Sequence, residues 1–175
     1  MTGAGGTRIP QRVLIVHNWH RAGVVSGENR VVEADVRLLR DAGVDVETYS
    51  RSNDETAEFG PAQWANMAVR PIASVGDARG LRRHIERFKP EVVHVHNVVP
   101  LLSPWVIRTA HAAGVPVVQT VHNYFHECVA MSYFRDGHPC HDCVGRRYPW
   151  PAVVHGCNPT AQITGSVTGR MTSAV

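Results

Sequence analysis

The sequence predicts an α/β protein built on a parallel sheet with helices on both faces. Three short apolar runs rich in β-branched residues, Val13–Val16, Val92–Val95 and Val117–Val121, are each followed by the same dipeptide, His-Asn. Such runs, when helix-length segments separate them, are typical of strands buried on both faces of a parallel sheet. Because open α/β sheets bind ligands beyond the carboxyl ends of their strands, the three His-Asn pairs are expected to line one open edge and to bind a ligand there.

Local start and stop signals divide the chain into alternating strands and helices. Ser26 can cap a helix whose positive end favours Glu28, and Gly43 is a suitable stop. Ser103, followed by a proline at the first helical position, begins a later helix. The predicted strands are residues 12–17, 45–49, 91–96 and 115–121, and the predicted helices begin near residues 26, 61, 75 and 103. This alternation predicts a doubly wound, Rossmann-like sheet with right-handed crossovers.

The length of 175 residues suits one domain that buries its own core. Changes in composition divide the chain into four predicted segments. They are a flexible N-terminus at 1–11, a Rossmann-like domain at 12–123, a Cys/His-rich loop at 124–160 and a truncated or frayed C-terminal segment at 161–175.

Charge and hydropathy narrow the classes of partner. The net charge of +3 comes without a basic stripe, which argues against a nucleic-acid partner. No apolar run approaches the roughly 20 residues of a membrane span, and the N-terminus lacks the apolar stretch of a signal peptide. A cytoplasmic location is therefore predicted. Peripheral membrane contact stays open, because the apolar Val98–Leu102 after the third strand suits either a lipid tail or packing on the sheet.

Several stretches together resemble the N-terminal half of bacterial, retaining glycosyltransferases of the GT-B fold, in the family-4-like group. The matching text lies within residues 12–157 and reads RVLIVHN, GENRVVEADVRLLRDAGVDVETYSRSND, KPEVVHVHNVVPLLSPWVIRTAHAAGVPVVQTVHNY and FRDGHPCHDCVGR. In that family, two Rossmann-like domains face each other across a cleft. The resemblance implies that this half holds the acceptor, whereas the other half holds a nucleotide-sugar donor.

The resemblance also implies roles for individual residues. His122 matches a catalytic histidine that contacts the transferred sugar, and His96 with Asn97 would face the acceptor. The loop from Gly23 to Gly27 would lie by the reaction centre and meet a phosphate at a helix N-terminus. The residues expected to bind substrate are His17, Asn18, Gly23, Gly27, Glu28, His96, Asn97 and Asn123.

The chain departs from the family pattern in two places. The family often has adjacent glycines after the first strand, whereas Gly23 and Gly27 are separated here. The family's donor-binding pair of glutamates belongs to the second domain, and Glu28 with Glu33 has the wrong spacing to replace it. The expectation is a hexosyltransferase-like enzyme that is incomplete in this chain and transfers little by itself. Its acceptor would be a sugar, a lipid-linked molecule or a protein.

Simpler interpretations apply to some of these residues. A strand-end histidine is often hydrogen-bonded to backbone, and Glu28 at a helix start could be a surface residue that complements the helix dipole. His94 is expected to face away from His96 and to be a hydrogen-bonded core histidine.

The four cysteines form a second group of candidate functional residues. Cys140 and Cys143 form a Cys-x-x-Cys pair, with Cys128 and Cys157 on either side. This count and partial spacing favour a structural zinc site, which would stiffen a loop that otherwise lacks a core. Disulfides and free thiols remain alternatives, and His126, His138, His141 and His155 could each replace one sulfur. Since transferases of this fold generally need no divalent metal, the resemblance implies no cofactor for catalysis.

A second function stays open at this point. The chain could be a stand-alone Rossmann-like module that binds a ligand or a protein and is stabilised by a structural zinc loop. A dinucleotide is disfavoured as its ligand, because the loop after the first strand lacks Gly-x-Gly-x-x-Gly.

Overall fold

A computed structural model describes residues 8–69, 74–124 and 126–157 of the protein. The predicted C-terminal segment 161–175 lies outside the described residues, as does most of the predicted N-terminal segment.

The described chain alternates strands and helices as predicted. The strands are β1 (Arg12–Trp19), β2 (Asp45–Ser52), β3 (Val92–Val95), β4 (Val117–Gln119), β5 (Phe134–Arg135) and β6 (His138–Pro139). The α-helices are α1 (Gly27–Asp41), α2 (Pro61–Val69), α3 (Val75–Phe88), α4 (Trp105–Ala112) and α5 (Trp150–Val154), and a 3-10 helix spans Asn53–Glu58. None of the helices in the described ranges is long and apolar enough to cross a bilayer.

The first four strands form one parallel sheet in the order β2-β1-β3-β4. Alternate side chains of β1 point to opposite faces, so the sheet has a core on each side. Leu14 and Val16 pack with Leu81 of α3 and Val106 of α4 on one face. On the other face, the core consists of Val13, Ile15, Val32 of α1, Val44 and Val46. The prediction of an α/β, Rossmann-like parallel sheet with helices on both faces is confirmed.

Helix starts follow the predicted signals. The Ser26 hydroxyl accepts a 3.3 Å hydrogen bond from the Asn29 amide at the start of α1. Pro104 already has helical backbone angles, and the Ser103 hydroxyl accepts from the Trp105 amide at 3.3 Å. Both serines therefore satisfy amides that the helix itself leaves free.

The last sheet strand differs from the prediction. β4 covers Val117–Gln119 instead of 115–121 and lies at the edge of the sheet. Val118 is 52% exposed and Val121 58% exposed, so this strand is not buried on both faces. The reason is its position. Within the described part of the chain, β4 pairs with β3 alone, and β3 ends at Val95, whose carbonyl accepts a hydrogen bond from the Thr120 amide.

Candidate functional site

The carboxyl ends of β1 and β3 and the segment after β4 bring the three His-Asn pairs together. The ring centroids of His17 and His96 lie 6.0 Å apart, and the rings of His96 and His122 are stacked with their centroids 5.3 Å apart. This edge of the sheet is where the fold places ligands.

Burial separates these residues into two layers. The inner layer, which consists of His17, Asn18 and His96, is buried, whereas the outer layer, which consists of Asn97, His122 and Asn123, is half-buried. An open edge shared by all three pairs is therefore not what the structure shows. The first pair is covered because β1 is an inner strand and neighbouring loops close over its end.

Asn18 illustrates how the inner layer is used. Its side-chain amide donates to Asn53 Oδ1 at 2.8 Å, and its carbonyl oxygen accepts from the Leu101 amide at 3.2 Å. Its backbone N–H donates to the Asn97 carbonyl at 2.7 Å. Asn18 thus joins the end of β1 to the 3-10 helix after β2 and to the loop after β3, and both polar groups of its fully buried side chain have protein partners.

Glu28 connects the residues of the outer layer to one another through hydrogen bonds. Its Oε1 accepts a 2.9 Å hydrogen bond from the Asn123 side chain, and its Oε2 accepts one of 3.1 Å from Asn97. His20 Nε2 lies 3.0 Å from the same Oε2. The side chain of Glu28 is only 17% exposed, so it is not the free surface residue of the simpler interpretation. His20 carried no signal in the sequence, because its position follows from the fold of the loop after β1.

The predicted glycines lie in that loop and at the start of α1. Gly23 has a φ of +80°, a left-handed conformation that favours glycine. A Cβ at Gly23 or at Gly27 would meet no atom within 4 Å, so neither glycine is required by close packing. The predicted contact of this loop with a phosphate stays a prediction.

The buried histidines are held uncharged. Burial, followed by the neighbouring His94, His122 and His17, lowers the pKa of His96 to about 3. Burial also lowers the pKa of His17 and that of His94. At neutral pH the rings of His17, His94 and His96 are therefore uncharged.

His96 and His122 form a direct pair. His96 Nδ1 lies 3.0 Å from His122 Nε2, so one nitrogen donates and the other accepts. Among the described residues the buried Nε2 of His96 has no hydrogen-bond partner, and Asp35 Oδ2 lies 3.6 Å from it. A carboxylate at that side favours the proton on His96 Nε2. His122 then donates from Nε2 to His96 and keeps Nδ1 as an acceptor for a ligand.

The expectation that His94 faces away from His96 is wrong. Side chains two positions apart on a strand share a face, and the ring centroids of His94 and His96 lie 4.2 Å apart. His94 Nε2 is 2.8 Å from the Thr120 hydroxyl, so His94 is hydrogen-bonded as expected. Among the described residues, one group has metal-ligand atoms that all lie within 4.8 Å of one another: Asp35, His94 and His96, called the Asp35 group below. Its two imidazoles and one carboxylate could hold a cation. Asp35, on α1, had no signal in the sequence.

The four cysteines surround one cavity away from the sheet. Cys128, Cys140, Cys143 and Cys157 are half-buried and form no disulfide, and they line this cavity together with His155 and Asp142. Their sulfurs are more widely spaced than the ligand atoms of the Asp35 group. Burial raises the pKa of the Cys157 thiol.

Comparison with known proteins gives a family match. A family model described as "Glycosyl transferase 4-like domain" matches residues 26–163, which include α1, the segments after β3 and β4, and all four cysteines. No curated protein matches the chain, and neither does any solved structure.

Proposed function

The chain belongs to the glycosyl transferase 4-like domain family, and on that premise we propose that it is the acceptor-binding domain of a retaining, GT-B-fold glycosyltransferase. The donor is a nucleotide sugar that a second domain binds. The acceptor is a sugar, free or carried by a lipid or a protein. The reaction transfers a hexosyl group with retention at the anomeric carbon.

The observation that carries this proposal is the outer layer at the carboxyl edge of the sheet. Glu28 fixes the side chains of Asn97 and Asn123 by hydrogen bonds, and His122 precedes Asn123 in the chain. Amide, carboxylate and imidazole groups can each donate to or accept from sugar hydroxyls. Fixed groups of this kind orient a ligand at little entropic cost when it binds.

The inner layer supports the outer one. Asn18 joins the end of β1 to the segments that carry Asn53 and Leu101. His96 remains uncharged and holds one ring nitrogen of His122. We assign His122 the contact with the transferred sugar through Nδ1, and we assign His17, Asn18 and His96 to positioning. The site contributes orientation and electrostatic stabilisation to the transfer.

The test measures what this chain binds. The chain is titrated with methyl hexosides and with nucleotide sugars, and chemical shifts and binding heats are recorded. Methyl hexosides are expected to bind with a Kd on the order of 1 mM and to perturb the signals of His122 and Asn123. Asn123→Ala is expected to weaken that binding at least tenfold. Glu33→Gln, an exposed change on the same helix α1, is the matched control and should leave it unchanged.

Two results would contradict the proposal. Binding of a nucleotide sugar to this chain with a micromolar Kd would place the donor, and not the acceptor, here. Hexosides that perturb no residue at the carboxyl edge of the sheet would remove the acceptor site itself.

A further inference from the structure

The cysteine cavity lies in a part of the chain that has almost no apolar core. Neither of the two hydrophobic clusters of the sheet includes a residue of 126–157. The buried side chains in this segment are small: Val129, Pro149, Pro151 and Ala152. Small units that cannot build a sufficient core usually depend on another source of stability, such as disulfides or a structural metal.

Three separate stretches of chain deliver the four thiols. Cys128 precedes the β5–β6 hairpin, Cys140 and Cys143 follow it, and Cys157 follows α5. All four line the same cavity, and none is in a disulfide. Four cysteines brought to one cavity from three stretches are more than packing needs, because a buried thiol behaves as a small apolar group.

The local backbone suits a metal-binding turn. The Cys140 amide donates to the Tyr133 carbonyl at 2.8 Å, which ties the Cys-x-x-Cys pair to the base of the hairpin. The Val144 amide donates to the His141 carbonyl at 3.0 Å, and Gly145 then adopts a φ of +72°. A tight turn of this kind presents two sulfurs on one side, as Cys-x-x-Cys zinc sites require.

A cation lies beside the thiols. Arg135 lines the cavity together with Cys140, and its buried Nε has no hydrogen-bond partner among the described residues. A zinc ion bound by four thiolates carries a net charge of −2, which a guanidinium stabilises, whereas four neutral thiols gain little from one.

We propose that Cys128, Cys140, Cys143 and Cys157 bind one structural Zn²⁺. On binding, each thiol releases its proton to solvent, and the sulfurs draw in from their present spacing to about 2.3 Å from the ion. The ion cross-links the hairpin, the Cys-x-x-Cys turn and the end of α5. It takes no part in binding the acceptor, so this proposal is independent of the proposed function.

Metal analysis of the chain, purified under reducing conditions without chelator, tests the proposal. About one zinc per chain is expected. Cys140→Ser and Cys157→Ser should each lose the zinc, whereas His138→Ala should keep it, because His138 is exposed on the hairpin and does not line the cavity. Loss of the zinc in His94→Ala but not in Cys140→Ser would assign the ion to the Asp35 group and overturn the proposal.

A second measurement keeps the proposal testable if the serine variants do not fold. The wild-type chain is stripped with a chelator and reloaded with Co²⁺, whose visible spectrum reports its ligands. Intense bands of tetrahedral, all-thiolate cobalt are expected. A spectrum typical of three sulfur ligands and one nitrogen ligand, which disappears in His155→Ala, would show that His155 and not the fourth cysteine binds the ion, and it would overturn the four-cysteine site. A reduced chain with neither zinc nor cobalt binding, or one that contains iron and sulfide instead, would overturn the zinc site.

Discussion

Glu28 and Asn123 are 95 positions apart in the chain, yet the Asn123 side chain donates a 2.9 Å hydrogen bond to Glu28 Oε1. The other carboxylate oxygen accepts from Asn97, which follows β3. A single side chain in the first turn of α1 therefore connects the segments that follow two different strands. The positive end of the helix dipole favours a carboxylate at this position.

Replacing Glu28 by glutamine is expected to disturb both segments. The glutamine amide nitrogen is a donor and would face a donor from Asn97 or Asn123, so one hydrogen bond is lost and two donors oppose each other. A loss of about 1–3 kcal/mol in the free energy of unfolding is expected. Binding of methyl hexosides should weaken in parallel. Urea denaturation and calorimetric titration measure the two effects.

Glu33→Gln provides the comparison, since Glu33 lies on the same helix with an exposed side chain. It should change the free energy of unfolding by less than about 0.5 kcal/mol. Equal effects of the two substitutions would show that the hydrogen bonds of Glu28 do not contribute to the free energy of unfolding.

The buried histidines predict how stability depends on pH. The pKa of His96 is lowered to about 3 in the folded chain, whereas an unfolded histidine titrates near 6.5. Between these values the unfolded chain binds more protons than the folded one, so the stability contributed by neutral His96 is lost as the pH falls below 6.5. The lowered pKa values of His17 and His94 act in the same direction.

His96→Gln tests this prediction. The free energy of unfolding of the wild type should fall from pH 6.5 to pH 5, with His96 contributing up to about 1.4 kcal/mol per pH unit. The variant should have a shallower slope, measured by urea denaturation at several pH values. His138→Ala removes an exposed imidazole and should keep the wild-type slope. Identical slopes for wild type and His96→Gln would mean that His96 is not held neutral by the fold.

The elements of the sheet could be predicted because their signals are local. Ser26 and Ser103 mark helix starts by their own side chains, and the run that ends at Val16 identifies an inner strand. Position within the sheet is not local. Nothing in the Val117–Val121 run shows that β4 has only β3 as a neighbour among the described strands, and the exposure of Val118 therefore has no signal in the sequence.

The candidate site shows the same limit. The repeated His-Asn pairs located the edge of the sheet, because parallel strands place their carboxyl ends together. Which groups are covered depends on loops from elsewhere in the chain, such as the one whose Leu101 amide meets Asn18. The contact of Asp35 with His96 depends on how α1 packs on the sheet. Such pairings between distant segments leave no spacing in the sequence.

Gly80 and Tyr49 show how closely α3 packs on the sheet. A Cβ built at Gly80 would lie inside van der Waals contact with the Tyr49 hydroxyl oxygen and 3.3 Å from Cζ. Tyr49 is held in place, because it packs against the core and its hydroxyl donates a 3.4 Å hydrogen bond to the Asp77 carbonyl. Alanine at position 80 must therefore displace the ring or the helix.

Gly80→Ala is consequently expected to lower the free energy of unfolding by about 1 kcal/mol or more, although alanine has the higher helix propensity. Gly76→Ala in the same helix, where a Cβ meets nothing within 4 Å, should instead raise it by about 0.5–1 kcal/mol. In a Tyr49→Phe background the clashing oxygen is gone, so Gly80→Ala should become neutral or stabilising. Urea denaturation of the four chains of this double-mutant cycle measures the coupling between the two residues. A coupling below about 0.3 kcal/mol would show that Gly80 of α3 does not pack closely against the Tyr49 ring.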